Sequence, residues 1–284
     1  MVSRIFLFLL ATLFSLTTQG QTAQQIIDQL KNQLSCDWAN ETVDTFKSGD
    51  PNEQVTGVLC CMFADMQVLQ EAVAKNCNLI ITHEPVFYNH LDETKDLQYD
   101  PVLQDKLAYI KAHELIIWRF HDHWHRHQPD GIYVGMLDKL GWANQTVANH
   151  INLVKTQSQS LKDLAHKLQS VFEIPGIRVI GDPALEVSKI GLALGAPGAK
   201  RQIALLQDVD VIIAGEAQEW ETYQYINDAV MQGKPKAVIF LGHLKSEEAG
   251  MAYLSEWMTS FIKGVPIHFS ENQVPYWTPN EDDF

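Results

Sequence analysis

Residues 55–84, "VTGVLCCMFADMQVLQEAVAKNCNLIITHE", decide how the rest of the chain is read. "VTGVLCCMFA" is apolar and β-branched enough for a buried strand. "DMQVLQEAVAKN" then turns helical, with Met66, Leu69 and Val73 on one face and Asp65 placed as the N-cap. "CNLIITHE" is a second buried strand. One short helix between two apolar strands predicts parallel pairing, a βαβ unit. The pattern continues outward. "DPVLQDKLAYIKAH" (100–113) predicts a helix with Pro101 in its first turn, "ELIIWRFHDH" (114–123) a strand, and "GIYVGMLDKLGW" (131–142) an amphipathic helix.

A second half begins near residue 150 and has the same character. It predicts helices over 160–172, 199–207, 220–233 and 246–262, with strands over 176–182, 187–195, 209–216, 235–243 and 265–271. The tail, "NQVPYWTPNEDDF", has too many prolines and acids for a core. No linker of low complexity and no solenoid repeat is present. The expectation is a two-lobed α/β protein with an N-terminal lobe over 21–150 and a C-terminal lobe over 151–284.

The first 20 residues, "MVSRIFLFLLATLFSLTTQG", read as a secretory signal peptide. The apolar core, about 12 residues, falls short of the roughly 20 needed to span a bilayer, so no stable membrane anchor is expected after processing. The expected address is export, periplasmic or secreted. With 46% hydrophobic residues the 284-residue chain has ample material for cores, and its net charge of −14 argues against nucleic acid as a partner. Of the four cysteines, Cys60 and Cys61 lie inside an apolar run, and buried thiols are expected. No CxxC spacing exists, so any metal must be held by histidine and carboxylate.

Those residue types gather at strand ends. "LIITHE" puts His83 and Glu84 beyond one buried strand, "IIWRFHDH" puts His121, Asp122 and His123 beyond another, "VIIAGE" ends in Glu216, and "AVIFLGHLKSEE" places His243 at a strand end with Glu247 four residues on. Ligand sites of open α/β sheets lie beyond the carboxyl ends of strands. A lone strand-end histidine is more often a hydrogen-bonded structural residue. Nothing in packing requires three apolar strands all to end in histidine, however, and the convergence predicts a metal site. Histidine and carboxylate without thiolate suit Zn, Mn, Fe, Co or Ni. Five or six such ligands exceed the needs of one tetrahedral ion, so two divalent ions and hydrolytic chemistry are expected. "RFHDHWHRHQPDG" (119–131) carries His121, His123, His125 and His127 on alternate positions and reads as a loop feeding that site, with His127 solvated.

Over nearly the whole chain after residue 20, these motifs resemble the Nif3-like dinuclear metal proteins, also called type 2 GTP cyclohydrolase I. The family's Thr-His-His-Pro strand end stands here as Thr82-His83-Glu84-Pro85. Its His-x-x-x-Asp motif is met by His121 with His125 at the Asp position, and Gly131 follows. Its Thr-Gly-Glu corresponds to Ala214-Gly215-Glu216. Its Gly-His-x-x-x-Glu is matched in full by Gly242-His243 and Glu247. The resemblance implies a Nif3-like fold with the metals in the crevice at the strand ends. It implies metal ligands His83, Glu84, His125, His243 and Glu247, with His121 beside them as a catalytic proton carrier or a partner to the ligands. Asp122 and His123 remain candidates because the register after the strand is uncertain by a residue or two. The two exchanges, His to Glu and Asp to His, preserve three histidines and two carboxylates.

The resemblance further implies attack on a C–N bond of a small, purine-like substrate, and a homo-oligomer, a toroidal hexamer. Export argues against GTP itself, which is scarce outside the cytoplasm. The competing expectation is a non-catalytic metal-binding assembly protein. "GLALGAPGAKRQ" (191–202) reads as a tight strand-to-helix turn, with Lys200 and Arg201 weakly suited to an anion. Phe87, Tyr88, Trp118, Trp124 and Trp220 flank the motifs as candidates to stack on a ring, at least half of them as core.

Overall fold

The layering of the fold follows from which strands are apolar on both faces. In the computed structural model, which describes residues 20–147 and 150–279, the first such strands lie in a five-stranded sheet. The chain enters through α1 (Ala23–Asn32), β1 (Phe46–Ser48), β2 (Val58–Cys61), α2 (Met66–Ala74), β3 (Leu79–Thr82), α3 (Pro101–Ala112) and β4 (Ile116–Arg119). It continues through α4 (Asp122–Arg126), α5 (Gly131–Leu140), β5 (Thr146–Val147), β6 (His150–Ser160), α6 (Leu161–Phe172) and β7 (Arg178–Ile180). Then come β8 (Glu186–Ala193), α7 (Ala199–Leu206), β9 (Val211–Ala214), a π-turn over Glu219–Tyr223, α8 (Gln224–Met231), β10 (Ala237–Phe240), α9 (His243–Thr259) and β11 (Ile267–Phe269).

The first sheet has the order β1-β4-β3-β2-β11, parallel except for β1. The second has the order β5-β6-β8-β9-β10-β7, with β8, β9 and β10 parallel. Every residue of β2, β3, β4, β9 and β10 is buried, as parallel strands covered on both faces require. Alternate residues go to different cores. Val58, Cys60, Leu79 and Ile81 of the first sheet and Val211, Ile213, Ala237 and Ile239 of the second face one shared core with α1, α5, α6 and α9. Leu59, Cys61 and Ile80 face α2 and α3 on the far side of the first sheet, and Ile212, Val238 and Phe240 face α7 and α8 beyond the second. The period of two along each strand builds this layered stack.

The helices of the middle layer also position the site. Gly135 of α5 and Gly250 of α9 let the two backbones touch: a Cβ on Gly135 would meet Ala249 O at 2.2 Å, and one on Gly250 would meet Ile132 Cα at 2.4 Å. α5 follows the histidine run and α9 opens with His243, so this contact fixes two sources of site residues against each other.

The sequence reading needs correcting in several places. The chain does not divide cleanly between sheets at residue 150, because β11 pairs with β2 and completes the first sheet. α1, β1 and β6 were not expected from the pattern. The tail is not wholly outside the core, since Asn272 is buried and bonds Phe63 and Asp65. Cys60 and Cys61 are buried free thiols, as expected; Cys77 is a third, and Cys36 is a half-buried one. The proposed signal peptide over 1–20 lies, but for Gly20, outside the described residues. Among the described residues no helix is long and apolar enough to cross a membrane.

Candidate metal centre

The carboxyl ends of the parallel strands in both sheets meet at one place. β3 delivers His83 and Glu84, β4 delivers His121, and α4 carries His125 one turn further on. From the second sheet, β9 delivers Glu216, while β10 runs through Gly242 (φ 82°) into α9, whose first turn offers His243 and Glu247 on one face. The structure brings all five residues of the implied ligand set together. His243 Nε2 lies 3.2 Å from Glu84 Oε1 and 3.0 Å from Glu247 Oε2. Glu247 also faces His83 Nε2 at 3.6 Å and His125 Nε2 at 3.7 Å, and Glu84 faces His121 Nε2 at 3.7 Å.

Three imidazoles are aimed by what stands behind them. His83 Nδ1 bonds Phe120 O at 3.0 Å, His121 Nδ1 bonds Asp122 Oδ1 at 2.9 Å, and His125 Nδ1 bonds Asp130 Oδ2 at 3.1 Å. Each backing acceptor claims the Nδ1 proton and leaves Nε2 as the free lone pair, the arrangement of metal-ligating histidine. The three ring centroids are 4.7, 5.0 and 5.0 Å apart. Ligand atoms of His83, His121 and His125 form one group within 4.8 Å of one another, and those of His83, Glu84 and Glu247 form another. His121 is therefore placed as well as the other two to hold an ion directly, and the proton-carrier role alone understates it.

The test of fit is His83. The residue is fully buried, and its Nε2 has no hydrogen-bond partner although Glu247 lies beside it. Burial, with His125 and His121 adding to it, holds its pKa well below the usual imidazole value. A buried, unprotonated nitrogen facing a carboxylate is repulsive unless a cation sits between them. Burial alone would also lower His243, but Glu216, Glu247 and Glu84 together push it up to about 12. The cluster thus attracts positive charge at one pole and refuses a proton at the other. The residues present fit divalent cations.

The remaining residues of the histidine run have other duties. Asp122 to Arg126 is a helical turn rather than a loop. His123 is buried, with Nδ1 on Asp44 at 2.6 Å, Nε2 accepting from Ala39 N at 2.9 Å and its ring stacked on Trp38 at 3.7 Å. Both its nitrogens are used, so it is structural. Asp122 accepts from Thr42 and Val43 as well as orienting His121. His127 is not simply solvated: it stacks on Trp124 and accepts from Ser35 N.

Sequence reasoning missed three supporting residues, Asp44, Asp130 and Arg119, and left a fourth out of the ligand set. Asp44 accepts from the backbone N–H of His121, Asp122 and His123, capping α4 from 77 residues away. Asp130 caps α5 with one oxygen and aims His125 with the other. Glu216 was noted at its strand end but not placed in the ligand set, and it stands 3.4 Å from His243 Nδ1. Buried Arg119 donates to His83 O and His90 O and stands 3.7 Å from Glu84. Of the aromatic candidates, Phe87, Trp118 and Trp124 are core, Tyr88 faces a cleft beside the centre, and Trp220 is 74% exposed. Lys200 and Arg201 are exposed and do not line that cleft.

Two sheets whose parallel strands pool histidine and carboxylate at their carboxyl ends define the class: an α/β protein whose side chains can hold metal ions. The family model for DUF34/NIF3 (NGG1p interacting factor 3) matches residues 21–275, and the chain belongs to that family. A GTP cyclohydrolase 1 type 2 homolog of Clostridium acetobutylicum is 25% identical over 244 residues, covering 80% of this chain and 87% of that protein. A protein of the same description from Neisseria meningitidis is 24% identical over 249 residues, covering 83% and 95%. The crystal structure of a Bacillus cereus protein related to NIF3 superposes with a TM-score of 0.73 at 14% identity, covering 92% of this chain and all of that one, which shows a shared fold.

Proposed function

We propose that the protein is a metal-dependent hydrolase with two divalent cations, acting on a small heterocyclic substrate. His83, His121 and His125 would hold one cation through their Nε2 atoms, and Glu84, Glu247 and His243 the other. Bound there, such ions lower the pKa of water and offset charge developing on the substrate. The chain's own residues do the rest. Asp122 and Asp130 keep His121 and His125 in the tautomer with Nε2 free. Glu216, 59% exposed, stands 3.4 Å from His243 Nδ1 and orients that ring. Arg119 holds the strand end that carries His83 and Glu84.

The observation that carries this reading is the fully buried His83 Nε2, unpartnered and facing Glu247. An open cleft of about 880 Å³, lined by His243 and Glu216, favours catalysis over a purely assembling role. The names of the relatives support cleavage of a ring C–N bond. Export and hexameric assembly belong to the same proposal, supported by the apolar leader sequence and by the family. Elemental analysis of protein from its native compartment, followed by a hydrolase panel with the metal found, is the test. His83→Ala and His243→Ala should each lose bound metal and turnover while keeping a native circular dichroism spectrum. Full metal content in both variants would overturn the assignment.

A further inference from the structure

The cleft beside the candidate centre is shared by His243, Glu216 and three basic residues, Lys106, Arg178 and Lys245. Two of these cations are already answered. Lys245 Nζ pairs with Glu248 at 2.7 Å and Glu271 at 2.9 Å, and Arg178 pairs with Glu219 at 3.4 Å on the exposed rim. Lys106 is different. It is 4% exposed, yet among the described residues no carboxylate forms an ion pair with it: Asp65, which also lines the cleft, and Asp92 act on it only from further away. Its Nζ donates to Val86 O at 2.8 Å, which uses one of three N–H donors. Buried charges in folded proteins are ordinarily paired, because leaving water is costly. An ammonium without an ion pair in the wall of a cleft has the character of a ligand contact.

The surface beside it has a matching shape. Tyr88 lies with its ring centroid 5.2 Å from Lys106 Nζ and is more than half exposed to the cleft. Its backbone is at φ 66°, unusual for an aromatic residue, and is held there while Asp92 grips Val86 N and Phe87 N. Phe63, Phe240 and Tyr276 supply further aromatic wall. The volume, about 880 Å³, falls within the range of small-molecule sites.

We propose that Lys106 is the anion-binding contact of this cleft, and that its ligand is a small molecule joining a carboxylate or phosphate group to a planar, apolar body. As an account of the substrate this rests on the metal-centre reading, but the contact itself is testable without it. Lys106 acts on the anionic group by charge and hydrogen bond, and the aromatic walls act on the planar part.

Calorimetric titration of the full chain, after elemental analysis of each preparation, uses 1-naphthoate and its neutral counterpart 1-naphthamide as probes. The wild-type protein should bind naphthoate roughly tenfold or more tightly than naphthamide, the scale of a charge-assisted hydrogen bond. Lys106→Gln keeps a donor for Val86 O, so it should abolish the preference while leaving naphthamide affinity and metal content unchanged. Lys106→Arg should retain the preference. A crystal of the wild-type protein soaked with naphthoate needs no variant and should place the carboxylate within hydrogen-bond distance of Nζ. A wild-type protein without the preference, a Lys106→Gln protein that keeps it or loses both probes equally, or a carboxylate seated elsewhere would each overturn the proposal. Metal-free native protein with a preference that runs through Lys106 would remove the hydrolase reading alone. Metal-loaded protein without such a preference would remove the cleft assignment alone.

Discussion

A methyl group added to Gly195 would lie 2.1 Å from Glu247 Oε1, and the residue's φ of 61° already disfavours any side chain. Gly195→Ala must therefore push the Glu247 carboxylate away or distort the turn before α7. The expected cost is about 1–3 kcal/mol of stability. Metal affinity should fall with it, because Glu247 touches His83, His125 and His243 at once. Metal titration with denaturant melts checks both, and a variant unchanged in stability and in metal affinity would refute the clash with Glu247. At this scale the sequence was informative where chemistry is concentrated in a motif. His83, Glu84, His243 and Glu247 stand next to apolar strands, and the strand ends announce them. Gly195 was legible as a turn residue but not as the space that Glu247 occupies. Arg119 was hidden inside an apolar strand, and nothing local shows that its guanidinium turns back to His83 O.

At the scale of elements, α4 is too short to be stable alone and depends on Asp44. The two carboxylate oxygens take the N–H groups of His121, Asp122 and His123 together with His123 Nδ1. Asp44→Ala leaves those donors without partners in a largely buried place. It should cost roughly 3 kcal/mol and loosen His121 and His125 together. Denaturant melts and a fall in metal affinity are the readouts, and a variant as stable as the wild type would refute this role for Asp44. β6 illustrates why some elements escaped the reading. Its sequence, "HINLVKTQSQS", buries only Val154, so it carries almost no hydrophobic period. Pairing with β8 specifies it instead. α1 had a signal that was passed over, the Thr22–Gln25 capping box. On α3, Lys106 makes a pH prediction. Burial lowers its pKa from 10.5 to about 8, despite the opposing pull of Asp65. Between those values the unfolded chain binds more protons than the folded one, so stability should rise with pH from about 8 to 10.5. The gain is at most about 3 kcal/mol. The rise should be smaller in Lys106→Met, measured by urea unfolding at pH 8 and pH 10, and equal slopes would sink the argument.

Over the whole molecule, the candidate centre is the place where the two sheets exchange charge. His83, Glu84, His121 and His125 come from the first sheet's strand ends, and Glu216, His243 and Glu247 from the second's. Between them the protein alone supplies a proton on His243 and an unfilled nitrogen on His83, an incomplete balance for carboxylates as buried as Glu84 and Glu247. A cation shared across the seam would complete it and would bind only the folded chain, since the ligands are scattered over residues 83–247 in sequence. Binding of that kind adds about 2.7 kcal/mol at a hundredfold excess over Kd. For a chain of this size that raises the melting temperature by roughly 5–10 °C. Chelated and metal-loaded samples should therefore differ by that much in calorimetry. The difference should shrink in His83→Ala and in His243→Ala, although the two residues come from different sheets. Their combined loss should be less than additive, because Glu247 faces both residues and couples the two sites. Chelated and loaded wild-type protein melting within 1 °C of each other would show that no cation joins the sheets.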